Sequence, residues 1–231
     1  MDTEFTPFMR QVEQRFQAAS GLLDRSQYKI FYGQVRPAWL LTLGINPGGA
    51  PKDTNADGKT HASGRVAAAS ASYFEGNEHD ILDCEWPENP GLRRLLQPLL
   101  GGNLARVREE VVKTNMAFRR SAKASQIDKE RTFDESAPFL NEIVRVVQPR
   151  LVLLTGPKLA SFVDRYASEI KILCPPERKE SIKQTVFAAS RAKLRATDMT
   201  TLVVQVAHAS QWSATYGEYD VARRIQSLMG A

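Results

Sequence analysis

Polar side chains stand where several apolar runs of this sequence come to an end: Asn46, Asn115, Thr155 and His208. Their chemistry is distinct. The amide of Asn46 cannot take a proton as a carboxylate can, but it can orient a water molecule and exchange hydrogen bonds with a substrate. Asn115 carries a donor and an acceptor side by side on a flat amide. A neutral imidazole at His208 can donate to an oxygen that becomes negative as a bond breaks. Each also has an ordinary structural role open to it: turn capping for Asn46, backbone bonding for Asn115, a plain strand-end histidine at 208. The question is whether the chain brings them together.

The elements that would do so can be read from periodicity. The run 39–43 is apolar on both faces, as expected of a strand covered by helices on both sides. It stops at Gly44-Ile45-Asn46-Pro47-Gly48, a stiff turn holding one polar side chain. Further strands are expected at 111–116, 151–154 and 202–206. Helices are expected at 7–24, from Asn89-Pro90-Gly91 to Gly101-Gly102, from a cap at Asp134 or Ser136 to Pro149, at 158–168 and at 218–229. Residues 49–90 read as irregular, with a short helical piece at 67–74 and an acidic stretch over 75–88. The stretches 119–131 and 169–197 read as basic and irregular. Strand–helix alternation of this kind predicts a parallel sheet with helices on both faces in a single domain of 231 residues. All the polar strand ends then lie on one side, where ligands bind in such sheets. A rigid Asn115 amide there could separate bases whose edges order donor and acceptor oppositely, as uracil and cytosine do.

Composition narrows the classes. Apolar residues make up 42% and charged residues 25%, ordinary for a globular protein, and the formal charge of +5 suits a nucleic-acid partner. Cys84 and Cys174 stand alone, with no Cys/His cluster, so a disulfide framework, structural zinc or iron–sulfur cluster is not expected. No apolar run approaches a membrane span and Met1-Asp2-Thr3-Glu4 is no signal-peptide start, so a cytoplasmic location is expected, nucleoid-associated in a bacterium. Gly58-Lys59-Thr60 lacks the first glycine of a phosphate loop, having Asp53 there, and no GxGxxG follows a strand; a nucleotide-cofactor enzyme ranks low.

Gly44-Ile45-Asn46-Pro47-Gly48 resembles the first motif of the uracil-DNA glycosylase superfamily, in the form used by its mismatch-specific and single-strand-selective monofunctional branches. His208-Ala209-Ser210-Gln211-Trp212 resembles its last motif, with Ala209 in place of the usual proline. The strand ending at Asn115 falls where that family keeps its base-reading asparagine, and 151–156 resembles the apolar strand and glycine between them. The likeness spans about residues 28–215.

The resemblance implies a three-layer α/β/α sandwich around a four-stranded parallel sheet, and hydrolysis of the bond joining a damaged base to deoxyribose. By the same resemblance, Asn46 would hold the attacking water and His208 would stabilise the departing base anion. Gly44, Ile45, Pro47, Gly48 and Asn115 would line the base site, with Phe74 (Tyr73 second) stacking on the flipped base. Read from the residues themselves, the basic stretches 119–131 and 171–195 are candidates for tracking DNA phosphates and Trp212 for filling the gap left by a displaced base, so Arg119, Lys158, Ser210, Gln211 and Trp212 are the expected DNA contacts. Gly48, where uracil-restricted branches carry a bulky tyrosine, implies room for 5-substituted uracil, hypoxanthine or xanthine. Asn46 in place of a carboxylate implies slow turnover. No cofactor or metal is expected, and the partner would be DNA containing uracil or another deaminated base, bound by a monomer. The alternative is a weak or silent member of the fold that binds nucleic acid or nucleotides.

Overall fold

The computed structural model describes residues 7–22, 27–47, 79–83, 88–121, 125, 127–179, 184–209 and 220–230. Its centre is four short strands: β1 (Leu40–Gly44), β2 (Val111–Asn115), β3 (Leu151–Thr155) and β6 (Thr200–Val206). They pair in parallel in the order β2-β1-β3-β6. Alternate residues enter different cores, as the period of two in a strand requires. Leu41, Leu43, Val112, Val152 and Leu154 face one core; Leu40, Val111, Leu151 and Leu153 face the other.

Each core is closed by helices. On the first face lie α1 (Pro7–Ser20), α5 (Lys129–Val147) and α6 (Leu159–Tyr166), which contribute Phe16, Leu140 and Phe162. On the second lie α3 (Asn89–Leu99) and α7 (Val221–Gly230), which contribute Leu92, Leu96 and Ile225. Two short helices, α2 (Asp80–Asp83) and α4 (Val107–Glu110), connect them. The protein is therefore of the α/β class.

The structure corrects the sheet. Among the described residues it has six strands, not four, and is mixed. The stretch 169–197, read as irregular, folds into β4 (Ala167–Lys179) and β5 (Gln184–Leu194), and β5 pairs antiparallel with β6. Its charges concealed the strands. Lys171, Lys193 and Glu169 alternate with Ile170, Ala192 and Leu194 along an extension that has water on much of its surface, so the apolar signal is weak. Helix α5 also starts earlier than expected. Asp128 caps it by accepting from Arg131 N at 3.2 Å, so Lys129 and Arg131 are helical rather than loop residues. Asp134, expected as a cap, lies inside the helix. Ser136 is no cap; its Oγ accepts the Phe118 amide at 3.0 Å. Helix α1 stops at Ser20, with Gly21 at φ +68°, and α6 spans less than the expected 158–168. The expected helical piece at 67–74 lies outside the described residues.

His79 locks α2 to β2. Its Nδ1 accepts the Ile81 amide at 3.2 Å, which leaves Nε2 to donate to the Val111 carbonyl at 3.0 Å. Burial pushes the imidazolium down to about 4, against the opposing pull of the Val111 carbonyl. Asp80 also favours the charged form, while Lys113 and Arg36 oppose it. A base with a depressed folded pKa is protonated first in the unfolded chain, so stability falls as pH drops from about 6.5 toward 4. We expect a loss of about 3 kcal/mol over that interval. His79→Gln should flatten that limb of the melting-temperature profile; an unchanged profile would show that other groups set it.

Candidate functional site

The carboxyl ends of the parallel strands bring several expected residues close together. Gly44 stands in register with Asn115, and a Cβ added to Gly44 would lie 2.2 Å from Asn115 Oδ1. Glycine is needed here to let the amide approach the turn. Gly156, at φ +107°, plays a similar part beyond β3: a Cβ there would lie 3.2 Å from Ile45 Cδ1 and 3.4 Å from His208 Cδ2. Ile45 and His208 thus flank one glycine, and Asn115 flanks another. Thr155 is turned inward, its hydroxyl donating to the Leu43 carbonyl at 3.3 Å, so it serves the sheet.

The turn after β1 is held by backbone bonds to the segment leaving β2. Gly44 O accepts from Met116 N at 2.9 Å, Ile45 O from Ala117 N at 2.8 Å and Pro47 O from Ser121 N at 3.3 Å. Pro47 is buried, while Gly44, Ile45 and Asn46 are half-buried. Asn46 Nδ2 donates to its neighbour's carbonyl at 2.9 Å and to Ser121 Oγ at 2.8 Å. Both amide hydrogens are thereby engaged. The carbonyl Oδ1 is left as the atom that can accept from water.

Asn115 is almost fully enclosed. Its Nδ2 donates to Tyr32 Oη at 2.5 Å. Tyr32 is itself placed by the strand it covers: Thr114 Oγ1 donates to Ile30 O at 2.6 Å, Lys29 N to Phe118 O at 2.9 Å, and Asp80 N to Tyr32 O at 3.0 Å. Burial pushes the Tyr32 phenol far up, only partly offset by the Arg120 guanidinium, so it stays protonated.

His208 follows β6 and is half-buried between Ala207 and Ala209, both buried. Burial lowers its pKa; Glu88 pulls upward and Lys113 downward. It is therefore neutral near pH 7 and able to donate without carrying charge.

A charged cluster under Asn115 was not anticipated. Lys113 lies two residues before Asn115 in β2, on the same face. It is buried and bonded to Asp80 Oδ2, to Asn89 Oδ1 at 3.0 Å and, more loosely, to Glu88 Oε1 at 3.4 Å. Burial works against the ammonium, yet Asp80 and Glu88 outweigh it and raise the Lys113 pKa. Burial likewise opposes the Asp80 carboxylate, and Lys113 and Lys29 outweigh that and lower it. The signal was present in the sequence: a lysine inside Val111-Val112-Lys113-Thr114 must find a partner if the strand is buried on both faces. The partner, Asp80, comes from the acidic stretch and is itself fully buried. Asp83, of the same stretch, holds Arg108 at 2.7 Å.

The expected DNA contacts divide. Lys158 is exposed at the start of α6, just beyond Thr155-Gly156-Pro157 and hence beside the strand ends. Arg119 instead forks onto Glu135, with both bonds at 2.6 Å, and also donates to Ser20 O at 3.2 Å. Gly48, Tyr73, Phe74, Ser210, Gln211 and Trp212 lie outside the described residues. Among the described residues, no group of His, Cys, Asp and Glu is placed to hold a metal ion, and no helix is long and apolar enough to cross a membrane. No protein-family model matches this sequence, and neither does any curated protein.

Proposed function

We propose that this protein is a monofunctional DNA N-glycosylase on a uracil-DNA glycosylase-like fold. It releases uracil or another deaminated base and leaves an abasic site. The observation that supports this reading is that Asn115 lies over Gly44, Asn46 stands in the turn after β1 and His208 flanks Gly156, all at the carboxyl ends of the parallel strands.

The reaction follows from those groups. A target base swung out of the stack enters the strand-end site, at a cost of a few kcal/mol. The bond from C1′ to the base nitrogen breaks and its electron pair leaves with the base. Positive charge develops on the sugar, as in glycoside hydrolysis generally. The His208 N–H donates to the base oxygen that takes up the negative charge, which a preorganised donor stabilises by about 3–4 kcal/mol. Water held on Asn46 Oδ1 then bonds to C1′. Asn46 cannot accept the proton that this water loses, so the proton passes to solvent or to the departing base. Lys113 is not an attacking amine, because Asp80 and Glu88 keep it protonated. No covalent intermediate with the protein forms, which makes the enzyme monofunctional.

The test is a panel of oligonucleotides bearing uracil, a 5-substituted uracil, hypoxanthine or xanthine, each incubated with the protein and then treated with alkali. Scission after alkali, with no borohydride-trapped adduct, is expected. The bonding of Asn46 to Pro47 O and Ser121 Oγ favours one competing reading, in which that residue only shapes the turn and the protein binds DNA without cutting it. Binding without base release would establish that reading instead.

A further inference from the structure

We infer that the outer edge of β4 is a self-pairing surface, on which a second copy of this chain lays the same strand antiparallel across a two-fold axis at Ile170. The inference does not depend on the glycosylase reading, and it departs from the monomer that the family resemblance implies. Strand β4 closes one side of the sheet, and among the described residues no strand pairs with its outer edge. Ile170 and Ile172 stand there 48% and 69% exposed. The direction of the backbone groups follows from β5. Leu194 N turns to the β6 side, donating to Met199 O at 3.0 Å, while Arg195 N turns to the β4 side, donating to Tyr166 O at 2.8 Å. By alternation, Lys193 and Arg191 also turn their backbone groups to β4, where they stand opposite Glu169 and Lys171. The N–H and C=O groups of Ile170 and Ile172 therefore point away from β5, ready to pair with another strand.

Charge identifies the occupant and the register. Outward groups must face outward groups, so Ile170 can stand opposite itself or Ile172, or Ile172 opposite itself. Setting Ile170 against the partner's Ile172 places Lys171 directly against the partner's Lys171, which repels. Setting Ile172 on itself runs the pairing across the register shift between Ile172 and Cys174 and toward Pro175 and Pro176, which have no amide to donate. Setting Ile170 on itself places Glu169 against the partner's Lys171 and Lys171 against the partner's Glu169. These are non-hydrogen-bonded positions, where the Cα atoms come within about 4.5 Å and side chains meet most closely. Within its own chain Lys171 stands opposite Arg191, so the partner's carboxylate relieves a like-charge neighbourhood. Glu169 is held only loosely, by Lys193 at 3.5 Å. On the other face Ile170 meets the partner's Ile170, with Ile172 on the diagonal, which takes both exposed side chains out of water. The pairing leaves the candidate site open. Ile170 lies opposite Ala192, and Ala192 opposite Thr201 near the amino end of β6, away from the strand ends that carry His208.

Sedimentation velocity on the full chain at low salt decides it. An edge this short makes a small, reversible interface, so the range to cover is about 5 to about 500 μM. The wild type should pass from monomer toward dimer across that range. Glu169→Lys and Lys171→Glu, each alone, set like charges against each other at both positions and should raise the dissociation constant by about tenfold or more. Mixed in equal amounts, the two variants should associate with each other, because every cross-strand position then joins opposite charges. The double variant, carrying both substitutions in one chain, should dimerise as the wild type does, which guards against a substitution that merely disturbs the fold. A wild type that stays monomeric throughout, a dimer that neither single substitution weakens, or a mixture no more associated than its components would overturn the inference.

Discussion

Lys113→Met should destabilise the protein by about 3–5 kcal/mol, measured by urea denaturation near pH 7. The magnitude follows from what remains. Asp80 is 0% exposed, and its Oδ1 has no hydrogen-bond partner even with the lysine present. Without Lys113 Nζ, its direct hydrogen-bond partner is the Asn89 amide, at 3.3 Å from Oδ2. A buried carboxylate that loses its directly bonded ammonium, with only the charge of Lys29 still acting on it, costs far more than the intact pair contributes. Acid should reveal the cause. In the wild type Asp80 has a depressed pKa and stabilises the fold above its unfolded value of 3.8. In the variant it should be protonated more readily, so the deficit should shrink as pH falls. Combining Lys113→Met with Asp80→Asn should recover much of the loss, because the buried carboxylate is then no longer charged. A deficit below about 1 kcal/mol would mean that the pair is not buried as described.

His208→Ala should slow base release by about 10²–10³-fold, the usual effect of removing one donor aimed at a developing oxyanion. Asn46→Ala should be comparably slow in single-turnover assays. Its distinguishing feature is that affinity for DNA should persist, since water rather than the base is what Asn46 holds. Acid should act through His208: its lowered pKa keeps the neutral donor through the ordinary histidine range, so rates should hold near pH 7 and change only below about 6.5. Unchanged release by Asn46→Ala would remove that residue from the mechanism.

How far the sequence reveals this site depends on the kind of signal. The parallel strands were legible because runs such as Leu151-Val152-Leu153-Leu154 are apolar on both faces, and only a sheet covered on both sides needs that. The β4–β5 extension was not, because its solvated charges remove the periodicity that marks a strand. At the site, Asn46, Asn115 and His208 were legible as polar residues closing apolar runs. Their placement at the same end of the sheet follows from parallel pairing alone. Tyr32 was illegible: it reaches Asn115 across 83 residues of chain, through bonds between Thr114 and the Ile30 carbonyl that no local pattern encodes. Lys113 was half legible, since its need for a partner could be read but the partner could not. Arg119 shows the reverse limit. A basic residue in a basic stretch suggested DNA, and a fork onto Glu135 took its place.

The most direct measurement is the rate of free-base release from a uracil-containing oligonucleotide by the wild type, set beside Asn46→Ala and His208→Ala at equal concentration. The wild type should release uracil and leave an alkali-labile abasic site, and each variant should be slower by about two orders of magnitude or more. Release at the same rate by all three proteins, or by none for any deaminated base, would contradict it.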